Sequence, residues 1–100
     1  MDKEQYILTC LQEECAEVIH IISKIKRFGI TDHHPNTGIE NKVSLSNELV
    51  DLIAVTEMTI HEVMQDHLSS YYHCDAIQDK KRKVKKFMEY SKSRGCLTNE

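Results

Sequence analysis

One hundred residues suffice for a single domain built on one core. A balance of 40% hydrophobic and 29% charged residues is that of a globular protein and argues against intrinsic disorder. The formal net charge of −3 supplies no overall attraction to nucleic acid or to an anionic membrane, so neither is expected as a partner.

Helix breakers are scarce. One proline and three glycines, gathered in two places, predict an all-α chain. The stretch MDKEQYILTC is acidic and lacks the apolar core of a secretory signal, and no later apolar run is long enough to span a bilayer. Cys10, Cys15, Cys74 and Cys96 form no CxxC pair and no regular disulfide framework, which fits free thiols and a cytoplasmic location.

The first helix is expected from about Lys3 to about Arg27. Ile7, Leu8, Leu11, Cys15, Val18, Ile19, Ile22 and Ile25 recur at intervals of three and four, the mark of an amphipathic helix. At about 100° per residue, Glu14 falls inside this apolar arc, within roughly 40° of Ile7, Val18 and Ile25, and Glu17 falls at its edge. Glu13 points farther away and can be solvated. Phe28-Gly29-Ile30 closes the helix, with Gly29 placed as a C-terminal cap. The following stretch, TDHHPNTGIENK, contains the proline, a second glycine, His33 and His34, and reads as a loop long enough to be functional.

A second helix is expected to begin near Ser44 or Ser46, either of which could cap it, and to run to about Met64. Leu49, Val50, Leu52, Ile53, Val55, Met58, Ile60 and Val63 cover most of its circumference, so it should be buried among neighbours or at a subunit interface. Asp51 shares its face with Ala54, Val55 and Met58, and Glu48 lies on the adjoining side, one turn away. Residues 67–73 read as a connection. A third helix runs from about Asp75 to about Ser93, with Ile77, Val84, Phe87 and Met88 in a narrow stripe beside a basic block. Gly95 ends it, and the last five residues are expected to fray.

Two acidic signatures therefore interrupt apolar helices: Glu14-x-x-Glu17 and Glu48-x-x-Asp51. Residues three apart project from one side of a helix, so two packed helices could bring four carboxylates together. Unpaired charges are costly to bury, and carboxylate oxygens are the hard ligands that Mg²⁺ or Mn²⁺ prefers. Either signature alone would be an ordinary solvated face. Zinc is disfavoured, because the six histidines and four cysteines show neither finger nor HExxH spacing. No glycine-rich phosphate loop is present, and no local pattern pairs a Ser or Cys nucleophile with a histidine. The basic run, Lys80 to Lys86, is mostly a solvated face, although Lys81 and Lys85 stand one turn apart and would suit a polyphosphate.

In these residues the chain resembles the MazG-like members of the all-α nucleoside triphosphate pyrophosphohydrolases. The resemblance rests on Glu13-Glu14-Cys15-Ala16-Glu17-Val18-Ile19 and Asn47-Glu48-Leu49-Val50-Asp51-Leu52-Ile53, and covers roughly residues 5 to 90. The size is similar to that of compact single-domain members, including phage-encoded ones, which would act in the host cytoplasm. It implies one domain over residues 1–100, a bundle of three main helices per chain completed by oligomerisation into a dimer or tetramer. The implied reaction cleaves a nucleoside triphosphate between the α and β phosphates, giving the monophosphate and pyrophosphate. Glu14, Glu17, Glu48 and Asp51 are the implied catalytic and Mg²⁺-binding residues, with Mn²⁺ as the alternative ion. Lys81 and Lys85 are the implied phosphate ligands. The loop from Gly29 to Val43 is longer than in many relatives, and the absence of Trp leaves Tyr6, Phe28, Tyr71, Tyr72 and Tyr90 as aromatic residues for base stacking. The rival expectations are a phosphoribosyl-ATP-type pyrophosphohydrolase and a non-enzymatic helical dimerisation or regulatory protein on the same scaffold.

Overall fold

The structure is a computed structural model that describes residues 1–65 and 74–98; the expected connection at 67–73, with Tyr71 and Tyr72, lies outside the described residues. The fold is all-α. Helix α1 spans Lys3–Phe28, α2 spans Asn41–Met58 and continues as a π-helical segment at Thr59–Val63, and α3 spans Cys74–Ser93. The chain divides into two compact units, Met1–Asp66 and His67–Glu100.

In the first unit, α1 starts where its first residues dictate. Asp2 accepts from the Gln5 backbone N–H at 2.8 Å, and the Gln5 side chain accepts from the Asp2 N–H at 2.8 Å, a reciprocal capping box. Glu4 in the first turn and Lys26 and Arg27 in the last complement the helix dipole. At the far end Gly29 adopts φ +99°, and its N–H bonds to the Ile25 carbonyl at 2.8 Å, which confirms the expected cap.

The second helix departs from its expected start. It begins at Asn41, three residues before Ser44, and no side chain caps it. The loop performs that task through long-range pairing. His33 and Glu40 form an antiparallel bridge, the Asn41 N–H donates to the Asp32 carbonyl at 2.8 Å, and the Lys42 N–H donates to the Ile30 carbonyl at 3.0 Å. The Asn41 side chain, itself buried, donates from Nδ2 to the Gly29 carbonyl at 2.9 Å and staples the loop to the end of α1. A connection that is long in sequence is thus closed on itself.

Helices α1 and α2 pack as an antiparallel pair. Ile7 and Ile21 are the buried apolar residues of this seam, each worth about 1.5–3 kcal/mol of hydrophobic stabilisation. They stand fourteen residues apart on one line of α1, and Glu14 lies midway between them. At the open end of the pair, Lys3 and Glu62 form an exposed ion pair at 3.3 Å. The π segment is marked by Met64 N–H bonding to the Thr59 carbonyl at 3.0 Å, and the Thr59 hydroxyl bonds back to Val55.

The apolar breadth of α2 is not absorbed by α1. Val50 and Ile53 of α2 are 61% and 58% exposed, and Ile19 of α1 is 65% exposed. Asp51, expected in an apolar neighbourhood, is itself exposed. The second unit contains α3 and the turn after it. Gly95 takes φ +76°, and the Cys96 and Leu97 N–H groups both bond to the Ser91 carbonyl, so the start of the tail folds back on α3 where fraying was expected.

Candidate metal centre

The antiparallel pairing decides which acids can meet. Glu14 sits at the centre of the α1 seam, and Glu48 and Asp51 lie opposite on α2. One carboxylate oxygen from each falls within 4.8 Å of the others. Glu14 and Glu48 are half-buried, whereas Asp51 is exposed and forms the outer side of the group. Glu17 is exposed and stands outside this trio, because three residues rotate it about 60° from Glu14 around the helix. Its charge still reaches the site.

The electrostatics centre on Glu14. Desolvation pushes its carboxyl above the ordinary carboxylate value, and the negative charges of Asp51, Glu48, Glu17 and Glu13 push it further in the same direction. Its Oε2 is shielded from solvent and has no hydrogen-bond partner. Surface carboxylates often gather without an ion, since water can separate them. The shielded, unpartnered oxygen distinguishes this cluster, because leaving such an atom unsatisfied is costly.

A divalent cation fits those needs. Mg²⁺ holds oxygens at about 2.0–2.1 Å, which sets neighbouring ligands at about 3.0 Å and opposite ones at about 4.2 Å. From a spread of at most 4.8 Å, no pair in the trio has to close by more than about 2 Å, within the reach of side-chain rotation. Glu14, Glu48 and Asp51 would hold the ion.

Lys81 and Lys85 lie one turn apart on α3 and are exposed. They belong to the second unit. Among the cysteines, Cys10, Cys15 and Cys96 are free. No described helix is long and apolar enough to cross a membrane.

The sequence reading missed a cavity of about 360 Å³ at the loop end of the helix pair. Lys24 and Phe28 of α1, Asp32, His33 and His34 of the loop, and Ser44 of α2 line it. Of these residues the sequence singles out only Phe28, as an aromatic residue for base stacking, and the two histidines, as part of a loop long enough to be functional. A signal was nevertheless present: Phe28 lies fourteen residues beyond Glu14, and Ser44 lies seven before Asp51, so both belong to the lines that carry the acids.

No family model matches the chain, and no curated protein or solved structure is significantly similar to it.

Proposed function

We propose that the chain is a Mg²⁺-dependent nucleoside triphosphate pyrophosphohydrolase of the MazG-like kind. The observation that carries this reading is the meeting of Glu14, Glu48 and Asp51, with a shielded and unpartnered oxygen on Glu14, from two signatures spaced as that family spaces them. Bound there, Mg²⁺ would neutralise phosphate charge and lower the pKa of a coordinated water. The protein's own part is to fix three carboxylates on two packed helices, so that the charge needed by the ion exists before the ion arrives. Glu17 has two roles open to it: a fourth ligand, or the base that orients and deprotonates the attacking water. Glu48 is the other candidate for that base. Lys81 and Lys85 would steady the β and γ phosphates as cationic hydrogen-bond donors.

The exposed apolar residues of α1 and α2 support a homo-oligomer, a dimer or tetramer, that covers Ile19, Val50 and Ile53. The same exposed residues are the observation that favours the second reading, a non-enzymatic dimerisation or regulatory protein. A phosphoribosyl-ATP-type substrate is a variant of the enzymatic reading and uses the same acids. A panel of NTPs and dNTPs, assayed with Mg²⁺ for pyrophosphate and monophosphate, separates them. Turnover that is lost in Asp51→Asn supports the enzyme. Failure to turn over any nucleotide, together with no Mg²⁺ binding, refutes it.

A further inference from the structure

The cavity beside the acids is built from the same two helix lines as the metal centre. On α1, Glu14, Ile21 and Phe28 recur at intervals of seven, and on α2 Asn41 and Glu48, and Ser44 and Asp51, do the same. Seven residues advance a helix by about 10.5 Å and return it to nearly the same face. Cavity and acids are therefore neighbours along one seam, separated by the scale over which a nucleotide extends from its α-phosphate to the edge of its base. The cavity's volume of about 360 Å³ lies within the range of small-molecule sites.

Its walls are fixed in place. Asn41 ties the loop to Gly29 and Asp32, and the His34 N–H donates to the Ile39 carbonyl at 3.0 Å. The His34 ring is oriented as well: its Nδ1 accepts from the Asn36 N–H at 3.1 Å, which leaves Nε2 to carry the proton in the neutral ring. His34 is therefore a donor at Nε2. The Lys24 ammonium is a second donor and the Asp32 carboxylate is an acceptor, and neither is paired among the described residues. Phe28 supplies an aromatic ring, with the Arg27 guanidinium 5.0 Å from its centroid.

We infer that this cavity receives the base of the nucleotide and that the base it selects is guanine. The inference rests on the pyrophosphohydrolase reading for the placement of the phosphates. Guanine presents two adjacent donors, N1–H and the exocyclic amine, which a single carboxylate accepts together. It also presents two acceptors, O6 and N7, for ammonium and imidazole donors. Asp32 takes the first pair, and Lys24 and His34 the second. Adenine keeps the N7 acceptor but places an amine where guanine has O6 and has no donor at N1, so it would set a donor against whichever of Lys24 and His34 faces O6 and would meet Asp32 with an acceptor. Cytosine, uracil and thymine do not present two adjacent donors with two acceptors on one ring system. Selection thus arises both from pairs made and from pairs left unmade.

The test measures nucleoside binding and turnover on the full chain. Guanosine, inosine, adenosine, cytidine and uridine are titrated without metal while the imidazole resonances of His33 and His34 are followed. The expected result is a response to guanosine at least about tenfold tighter than to adenosine, weakened by about tenfold or more in Asp32→Asn, with inosine in between because it lacks the exocyclic amine. Lys24→Gln, at a second wall of the cavity, should weaken guanosine in the same way. Turnover should favour GTP or dGTP, with the preference lost in Asp32→Asn. Equal binding of all five nucleosides, or unchanged guanosine binding in both variants, overturns the inference. If every nucleotide is cleaved equally and Asp32→Asn is neutral, the enzyme stands and the guanine site falls. If guanosine binds at the histidines but no triphosphate is cleaved, the guanine site stands and the pyrophosphohydrolase reading falls.

Discussion

Replacing Asp51 by Asn separates a metal centre from a chance gathering of acids, because the two accounts predict opposite changes in stability. In the metal-free protein Asp51 is the foremost of the like charges that act on Glu14, so its removal relieves repulsion. The variant's metal-free Tm should equal or exceed that of the native chain. In Mg²⁺ the order reverses. A site that binds only the folded state stabilises it by about 2.7 kcal/mol at a free ion concentration of 100 Kd. For a chain of this length each kcal/mol moves Tm by about 4–8 °C, so native protein should gain about 10–20 °C. Asp51→Asn exchanges one of three ligand oxygens on the trio for a neutral amide and should lose most of that gain. Thermal unfolding followed by circular dichroism, across a Mg²⁺ series and with Ca²⁺ as a comparison ion, measures both halves. An unchanged Mg²⁺ shift in the variant, or a metal-free Tm well below native, would refute the reasoning.

The raised Glu14 carboxyl fixes the sign of a pH effect. Folding favours its protonated form, so this contribution is fully present below the unfolded carboxylate pKa and is lost as pH rises through the raised folded value. Metal-free Tm should therefore gain from this group on acidification across that window, while Mg²⁺ binding weakens; Glu14→Gln should flatten both trends. Asn41→Ala removes the buried Nδ2 donor and leaves the Gly29 carbonyl without it, a cost of about 1–3 kcal/mol readable by denaturant unfolding. A cost near zero would show that the staple does not hold the loop. On the proposed oligomer, Ile53→Glu, at an exposed position of α2, should shift the protein to monomer in a sedimentation or light-scattering measurement while leaving its helix content intact. On the proposed pyrophosphohydrolase reading, Lys81→Gln and Lys85→Gln should each raise KM for the triphosphate by about tenfold, equivalent to about 1.4 kcal/mol of binding, with little change in stability.

Local chemistry made much of this fold legible. The apolar spacing of α1 and the Gly29 cap placed its ends to within a residue, because a capped amphipathic helix is specified by its own sequence. The start of α2 was not legible in the same way. Ser44 and Ser46 are good local caps, but residues 32, 33 and 40 pair across the loop and begin the helix at Asn41. That pairing has no local signature, and the role of Asn41 follows only from the position of Gly29 twelve residues earlier. The π segment escaped for a related reason: a helical apolar pattern continues through it, and only the wider hydrogen bond at Thr59 marks the change.

The acidic signatures show where a spacing argument stops and a packing argument has to begin. Three-residue spacing places Glu14 and Glu17 on one side of α1 and treats them alike. The buried isoleucines distinguish them, since Ile7, Glu14 and Ile21 share the line that faces α2 and Glu17 does not. On α2 the partner of that line falls between Glu48 and Asp51, so both reach it. One helix thus contributes a single central acid and the other contributes two flanking ones, and the charges of both act on Glu14, whose Oε2 is shielded from water. That asymmetry makes Glu14 the group whose protonation and metal binding should compete most directly. It also leaves Glu17, free of the trio, available for a second role at the same site.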